Sequence, residues 1–368
     1  LYTANDRFTR NTLLKNNGDG TFSDNSIFSG TALAMNAMCV APGDYNNDGW
    51  VDIYVTNTQQ GNALLRNTGN ESFISSSIES GTAFFEYCWG ALFFDADNDG
   101  WEDLYVSGML MGPEVLSSAF YHNQQDGTFI IPEDAGFQGD TVRSFNNAIG
   151  DINQDGLSEI MVINTAPYFS NLWVNSTNTT HNWIKIKLEG VLSNRDGIGS
   201  RIEVYTSDGE QLRFTTCGNG FLGQNSETLT IGVGTHAIID SITIKWPTGH
   251  VDLLTAVVTN QTLQVQEGST SEGIIQVDED VNLLVATDEP VLPTTNIQVF
   301  PNPTKGTVTI LTPNYTQAFQ LYLFHSNGQF QQAIPIDSSQ VHFSMLHLPK
   351  GIYWLMSPNG ETTAIVKQ

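Results

Sequence analysis

Hydrophobic and polar residues alternate in short runs along the whole chain, and clusters of Gly, Asn, Asp and Ser separate the runs. A period of two is typical of β-strands that bury one face, and the polar clusters are typical of turns. No run approaches the roughly 18 consecutive apolar residues of a membrane-spanning helix. The pattern therefore predicts an all-β protein without a membrane span.

The first half of the chain repeats one loop three times. Each copy reads D-x-[DN]-x-D-G-x-x-[DE], with apolar runs before and after it. The copies, called the first, second and third loop below, occupy residues 44–52, 95–103 and 151–159. Their first residues are 51 and then 56 positions apart, and a period of this size predicts a repeat architecture.

Oxygen-bearing side chains stand at positions 1, 3, 5 and 9 of each loop. The glycine at position 6 permits a tight turn, and the carbonyl of position 7 can also face inward, as in loops that wrap a hard cation. Because all these donors are oxygens, they favour Ca²⁺ over Zn²⁺. The alternative is an Asp-Gly turn without metal, but three complete copies favour the metal.

A second element recurs between the loops, an Asn-led turn between two strands. Its copies lie at residues 13–22, 64–73 and 120–129. Together the two elements predict four short antiparallel strands in each unit of about fifty residues, which is a propeller blade. About three blades over residues 1–178 form a partial β-propeller, because closed propellers have about four to eight blades. We therefore expect further blades upstream in the parent protein.

The loops resemble FG-GAP/VCBS repeats, which form β-propellers in integrin α chains and in many secreted bacterial proteins. The resemblance implies about three structural calcium ions, one in each loop, without an open coordination position. It implies these ligands: Asp44, Asn46, Asp48, Asp52 and the carbonyl of Trp50; Asp95, Asp97, Asp99, Asp103 and the carbonyl of Trp101; Asp151, Asn153, Asp155, Glu159 and the carbonyl of Leu157. Asn at position 3 and the longer Glu at position 9 predict that the third site is the weakest.

Residues 179–267 lack the loop pattern and carry longer alternating strands separated by glycine turns. This predicts a β-sandwich-like domain. Four landmarks make it similar to the ASPIC/UnbV domain: 197–201, 218–224, 229–234 and 246–249. Where that family usually has His-Phe-Gly-Leu-Gly, this chain has Thr-Ile-Gly-Val-Gly at 230–234, so no role is assigned to that histidine.

The composition changes again after the sandwich. Residues 268–293 are rich in Gly, Ser, Asp and Glu and are predicted to be an acidic linker. Residues 294–368 open with a Pro-Asn-Pro turn and continue with short alternating strands, which predicts a second compact β-sandwich.

The last segment resembles the type A C-terminal sorting domain of type 9 secretion. Four landmarks carry the resemblance: 301–306, 326–328, 348–353 and 365–368. It implies Bacteroidota origin and export across the outer membrane, so that the protein is secreted or lies on the outer cell surface. It also implies translocon and shuttle proteins of the secretion system as partners, through residues 294–368.

Acidic residues outnumber basic ones by 39 to 14, which gives a net charge of −25. Nucleic acid and anionic lipid surfaces are therefore not expected partners, because both require a basic face. The three cysteines, Cys39, Cys88 and Cys217, form no C-x-x-C pair. We expect them to be small buried residues, with at least one of them a free thiol or part of an intermolecular bridge.

No catalytic pattern stands out in the sequence. The seven histidines are scattered, and neither G-x-S-x-G nor H-E-x-x-H occurs. No catalytic residue and no organic cofactor is predicted, so this region is not expected to be an enzyme. The aromatic residues Trp50, Phe85, Trp89 and Trp101 suit either a sugar-stacking surface or packing within and between blades, and packing is the favoured interpretation.

These observations predict a secreted or cell-surface, calcium-stabilised protein of the binding or adhesion type, exported by the type 9 secretion system. Its ligand would be an extracellular protein or a glycan. The alternative is the carbohydrate-binding part of a secreted polysaccharide-active enzyme, with catalysis elsewhere in the parent protein.

Overall fold

The computed structural model describes residues 1–109, 118–133, 135–137, 140, 142–271, 297–313, 318–326, 330–357 and 362–368. The chain divides into two compact units, Leu1–Val285 and Ala286–Gln368. The predicted landmark at 326–328 is described only at its first residue. Most of the predicted acidic linker lies outside the described residues.

Four antiparallel sheets follow one another in the first part of unit one, and each has strands in simple sequential order. Two have four strands, and the sheets on either side have three. The strands are β1 (Tyr2–Thr3), β2 (Thr12–Asn16), β3 (Phe22–Asp24), β4 (Val40–Gly43), β5 (Asp52–Val55), β6 (Ala63–Asn67), β7 (Phe73–Ser75), β8 (Tyr87–Phe94), β9 (Asp103–Met109), β10 (Ser118–Asn123), β11 (Phe129–Ile130), β12 (Ser144–Gly150), β13 (Glu159–Asn164) and β14 (Asn171–Trp173).

These sheets form the predicted arc of propeller blades. The first strands of neighbouring sheets lie against each other, β4 against β8 and β8 against β12. Apolar side chains from adjacent sheets share one core, in which the ring of Tyr45 contacts Phe93 and Phe129. All three predicted hairpins are present as β2–β3, β6–β7 and β10–β11.

The second part of unit one is a two-sheet sandwich, as predicted. Its strands are β15 (Trp183–Glu189), β16 (Arg201–Thr206), β17 (Gly209–Phe214), β18 (Leu229–Gly232), β19 (Ile238–Lys245), β20 (Val251–Val258) and β21 (Gln261–Gln266), and a 3-10 turn follows at Ser269–Ser271. One sheet has the order β18-β15-β21 and the other β17-β16-β19-β20. Their inner faces pack into one core of Ile, Val and Leu side chains with Trp246.

Unit two is a sandwich with its own core. Its strands are β22 (Gln298–Phe300), β23 (Thr307–Leu311), β24 (Phe319–His325), β25 (Phe330–Ile336), β26 (Gln340–Ser344), β27 (Gly351–Met356) and β28 (Thr362–Lys367). The sheets have the orders β22-β23-β26 and β25-β24-β27-β28.

The sequence landmarks of unit two hold its turns in place. The amide of Asn302, in the Pro-Asn-Pro turn, donates to the carbonyl of Ala364 (2.7 Å) and accepts from the backbone of Val366 (2.9 Å). The hydroxyl of buried Tyr353 donates to the carbonyl of Pro349 (2.7 Å). The Lys367 ammonium donates to three carbonyls of the turn after β26, at Met345, Leu346 and Leu348.

The cysteines behave differently from one another, although all three are free thiols. Cys39 and Cys88 are buried in the blade core, as expected. The prediction is wrong for Cys217, which is exposed, because it lies beyond the end of β17 and outside the alternation that buries side chains of this sheet.

Candidate metal centre

Each of the three loops joins the first two strands of its sheet: β4 to β5, β8 to β9 and β12 to β13. Position 4 adopts a left-handed conformation, with φ of 50° at Asn47, 62° at Asn98 and 63° at Gln154. Position 6 has φ between 81° and 94° in all three loops, where glycine is favoured because it lacks a Cβ atom. The local sequence therefore folds each copy into the same turn.

The aspartate at position 1 is the centre of each turn. In the second loop Asp95 accepts backbone hydrogen bonds from Asp99 (3.1 Å) and Gly100 (2.8 Å). Asp44 accepts the equivalent pair in the first loop, and Asp151 accepts the bond from Gly156 (2.7 Å). These bonds fix the position-1 carboxylate without using all of its lone pairs.

The backbone amide of position 7 donates to the carboxylate of position 5 in every copy. The pairs are Trp50 to Asp48 (2.9 Å), Trp101 to Asp99 (2.8 Å) and Leu157 to Asp155 (2.9 Å). These bonds hold position 7 beside the carboxylate of position 5 in each loop. A ligand role for the position-7 carbonyls remains a prediction.

The second loop gathers the densest negative charge. Carboxylate oxygens of Asp95, Asp97 and Asp99 lie within 4.8 Å of one another. Burial, together with repulsion between the carboxylates, raises the pKa of Asp95 well above its ordinary range. Burial also raises the pKa of Asp103 to about 6. An added cation would remove this penalty, because it would replace repulsion by attraction.

In the first loop the ligand position in the middle, position 5, is exposed, whereas positions 1 and 9 are buried. Asp48 is exposed and accepts a hydrogen bond from the Asn46 amide (2.9 Å). Asp44 and Asp52 are fully buried, and burial raises their pKa values to about 7 and about 8. One carboxylate oxygen of Asp52 is buried and receives no hydrogen bond from a described residue.

The third loop contains two such oxygens, Oδ1 of Asp151 and Oε1 of Glu159, which are buried and receive no hydrogen bond from a described residue. The other oxygen of Glu159 accepts a hydrogen bond from the backbone N–H of Ile152 (2.7 Å). In the second loop Asp103 accepts the equivalent bond from Ala96, so the longer Glu side chain makes the same contact. The ammonium of Lys185 contacts the other oxygen of Asp151. Asn153 and Asp155 are exposed.

The donor set fits a hard divalent cation. All candidate side-chain ligands offer oxygen, and three buried carboxylate oxygens at positions 1 and 9 have no other described partner. Buried polar atoms are normally satisfied, so these three oxygens are suited to bind a cation. Ca²⁺ takes oxygen ligands in adaptable geometry, which suits loops that differ at positions 3 and 9.

Some of the residues that build the site were not predicted. Glu102, at position 8 of the second loop, is buried; it accepts the backbone N–H of Asp44 (3.0 Å) and pairs with Arg213 of β17 (3.3 Å). An acid next to position 9 was the available signal for Glu102. Nothing in the local sequence indicates that Arg213 lies beside it.

Neighbouring loops are also joined to each other through their position-4 asparagines. The amide of Asn47 donates to the carbonyl of Gly100 in the second loop (3.1 Å). The amide of Asn98 donates to the carbonyl of Gly156 in the third loop (3.0 Å). The repeated Asn at position 4 could have suggested these bonds, because each repeat meets the next in the same way.

The four candidate aromatics divide into two pairs. Trp89 packs against Phe145 and Phe221, and Trp101 is half-buried. Trp50 and Phe85 are 49% and 55% exposed, and the ring of each lies against a glycine. Packing within the protein therefore covers only part of each of these two side chains.

Three family models match the chain, each over its own segment. The FG-GAP-like repeat matches residues 1–55 and 44–106, ASPIC and UnbV matches 190–272, and the secretion system C-terminal sorting domain matches 298–368. The third loop lies outside the matched FG-GAP segments but has the same turn geometry. No curated protein is detectably similar to the chain.

Among solved structures the chain is similar to PorZ, described as an essential bacterial surface component of the type-IX secretion system of Porphyromonas gingivalis. The two are 10% identical with a TM-score of 0.31, over 98% of this chain and 56% of PorZ. The chain therefore spans little more than half the length of that protein. A TM-score this low does not establish a common fold.

The sorting-domain match indicates the destination of the protein. Chains with this segment are exported by the type 9 secretion system to the cell surface or the medium. Within the described residues, no helix has the length and hydropathy of a membrane span. Separate segments of the chain thus match FG-GAP-like repeats, ASPIC and UnbV, and a C-terminal sorting domain, and the last match indicates an exported protein.

Proposed function

We propose that this protein is a calcium-stabilised binding protein of the cell surface or medium, of the adhesion type, and that this region is not catalytic. Calcium is assigned from the buried carboxylate oxygens of the first and third loops that receive no hydrogen bond from the described residues. In the second loop the assignment rests on the clustered carboxylates of Asp95, Asp97 and Asp99. The ligands proposed are the side chains at positions 1, 3, 5 and 9 and the carbonyl at position 7.

The proposed role of calcium is structural. Each loop joins the first two strands of a sheet, so an ion there fixes the start of the blade. Without the ion, buried carboxylates such as Asp95 and Asp52 oppose folding, because each is destabilised in its charged form.

The test is thermal unfolding of the whole chain with calcium and with a chelator. An ion that binds only the native state stabilises it by about 2.7 kcal/mol per site at a concentration one hundred times Kd. For a unit of this size we expect calcium to raise Tm by about 5–10 °C per occupied site. Magnesium at the same concentration is the control, since it accepts such cages poorly. Equal Tm values with calcium and chelator would contradict the proposal.

The proposed ligand is an extracellular protein or a glycan. Half-exposed Trp50 and Phe85 favour a glycan, because flat aromatic faces stack on sugar rings. A glycan array with the whole chain and with Trp50→Ala tests this. Binding that the variant loses supports a sugar site, and it would also fit the carbohydrate-binding part of a polysaccharide-active enzyme. Equal glycan binding by the wild-type protein and the variant would show that Trp50 does not contribute to the sugar site.

A further inference from the structure

We propose that the sandwich of residues 183–266 is a working part of the second calcium site, so that calcium binding and docking of the sandwich on the blades are coupled. This rests on the proposed function, because it requires calcium in the second loop. That loop contacts residues 175–234, which include both the segment leading into the sandwich and part of the sandwich itself.

Residues that follow strand β14 hydrogen-bond three consecutive backbone carbonyls of the second loop. The amide of Asn175 donates to the carbonyl of Ala96 (2.8 Å), and the ring of His181 bonds the carbonyl of Asp97 (2.9 Å). Further along the chain, the backbone N–H of Gly234 donates to the carbonyl of Asn98 (2.9 Å). Positions 2, 3 and 4 of the loop are thus fixed from one side.

Position 6 is held from the same side. The guanidinium of Arg213 reaches the carbonyl of Gly100 at 3.4 Å and pairs with buried Glu102. Arg213 is itself buried, so its charge acts on the loop in a poorly screened environment. The sandwich therefore contributes both hydrogen bonds and positive charge to the acidic turn.

Gly232 of β18 brings the sandwich backbone against the ligand carboxylate. A Cβ atom at this position would lie 2.1 Å from Oδ2 of Asp95 and 2.3 Å from the Cα atom of Asn98. The backbone of Gly232 is in an ordinary strand conformation, so the glycine is required by this contact and not by its φ angle. The wall of the second site is thus the sandwich itself.

Basic side chains of the sandwich also reach the other two loops. In the third loop the buried ammonium of Lys185 contacts Asp151. In the first loop the guanidinium of Arg201 reaches the carbonyl of Gly49 at 3.4 Å. Each loop therefore meets one basic side chain of the sandwich. At the second loop the sandwich also contributes the backbone of Gly232 and the N–H of Gly234.

Coupling follows from this arrangement by thermodynamic linkage. If docking of the sandwich orients Asp95 and its neighbours for calcium, then calcium stabilises docking by the same factor. Residues behind the ligands of a metal site typically change its affinity by about 10–100-fold when they are altered. Gly232, His181 and Asn175 are positioning residues in this sense, and none of them is a proposed ligand.

The experiment is calcium titration by calorimetry of the whole chain after removal of metal, with Gly232→Ala as the main variant. We expect Gly232→Ala to weaken one calcium site by about 10–100-fold. Thr255→Ala, at an exposed position of β20 in the same sandwich, is the matched control and should titrate as wild type. Near-UV circular dichroism reports whether each variant is folded.

Hydrogen exchange on the wild-type protein measures the reciprocal effect. With chelator, the amide of Gly234 should exchange faster than with calcium, whereas amides within β16 and β19 should not change. A calcium-independent rate at Gly234 would count against coupling.

The possible results separate the two proposals. Wild-type protein that binds no calcium would refute the proposed function. Wild-type protein that binds calcium, with Gly232→Ala titrating identically, would overturn the coupling alone. If Gly232→Ala does not fold, the exchange rate of the Gly234 amide in the wild-type protein decides, and a rate that calcium does not change would overturn the coupling.

Discussion

The second and third loops share their spacing and turn geometry, but their surroundings differ. The second offers four aspartates at the ligand positions and is enclosed by residues 175–234. The third offers three acids and one Asn; Lys185 contacts its first ligand, and Asn153 and Asp155 are exposed. The spacing within each loop therefore determines where the ligands lie. Residues distant in sequence determine how far the ligands are enclosed and which charges surround them.

The difference leads to an order of calcium affinity. Affinity for calcium rises with the number of ligand charges and with the rigidity of the site. The second loop has more charge and more support, so it should bind most tightly. The third should bind least tightly, because the ammonium of Lys185 repels a second cation next to Asp151.

The largest expected effect is a reversed pH dependence in the metal-free protein. Burial raises the pKa values of Asp44 and Asp52, to about 7 and about 8, from an ordinary value near 4. The folded state therefore holds more protons than the unfolded state between pH 4 and 8, and stability falls as pH rises through this range.

Each unit of pKa shift corresponds to about 1.4 kcal/mol, so the free energy of unfolding should fall by several kcal/mol from pH 4 to pH 8. Urea unfolding in chelator measures it. With calcium the trend should reverse, because protons then compete with the ion. A metal-free protein that gains stability over this range would contradict the assignment of these carboxylates.

The next effect removes the feature that distinguishes the third loop. In metal-free protein, Lys185→Met should cost about 3–5 kcal/mol, because it leaves the buried Asp151 charge without its partner. Calcium should restore part of this loss, since the third site no longer contains a competing ammonium. Lys187→Met, at an exposed position of the same strand, is the matched control and should change stability by less than about 0.5 kcal/mol. If the two variants changed the free energy of unfolding equally in urea, Lys185 would have no specific role at the third loop.

A smaller effect compares the two loops through their first ligands. Asp95→Asn should abolish about 2–3 kcal/mol of calcium-dependent stabilisation, as expected for one well-occupied site. Asp151→Asn should abolish less, because the third site is weaker. The difference between Tm in calcium and Tm in chelator measures both. If Asp151→Asn caused the larger loss, the proposed order of affinities would be wrong.

The smallest effect concerns the bond between the first and second loops. Asn47→Gly keeps the left-handed conformation of position 4 but removes the hydrogen bond to the carbonyl of Gly100. Its expected cost is about 1 kcal/mol, the net value of one such bond. Urea unfolding in calcium is the measurement. A much larger cost would mean that the amide supports the second site directly.

The repeated local pattern predicted the fold of the blades and the place of the loops. An Asp at position 1, a glycine at position 6 and flanking strands are sufficient to form the same turn each time, because its hydrogen bonds lie within the loop. Alternating hydrophobic residues likewise predicted the strands of the sandwich and of the sorting domain. These features depend on neighbours in sequence.

The partners of the loops could not be predicted in the same way. Lys185 and Lys187 are two residues apart in β15 and so lie on the same face, and the alternating pattern predicts the same exposure for both. Only Lys185 is buried against Asp151. Arg213 meets Glu102 across more than one hundred residues of chain. Such contacts depend on how the sheets pack against one another, and the hydrophobic periodicity of the sequence does not predict this packing.

The most direct measurement is anomalous diffraction from crystals of the whole chain grown with calcium. We expect a calcium peak among the carboxylates of Asp95, Asp97, Asp99 and Asp103, with the backbone of Gly232 next to Asp95 and a weaker peak in the third loop. Full occupancy in the third loop and none in the second would contradict this expectation, as would the absence of a calcium peak from all three loops.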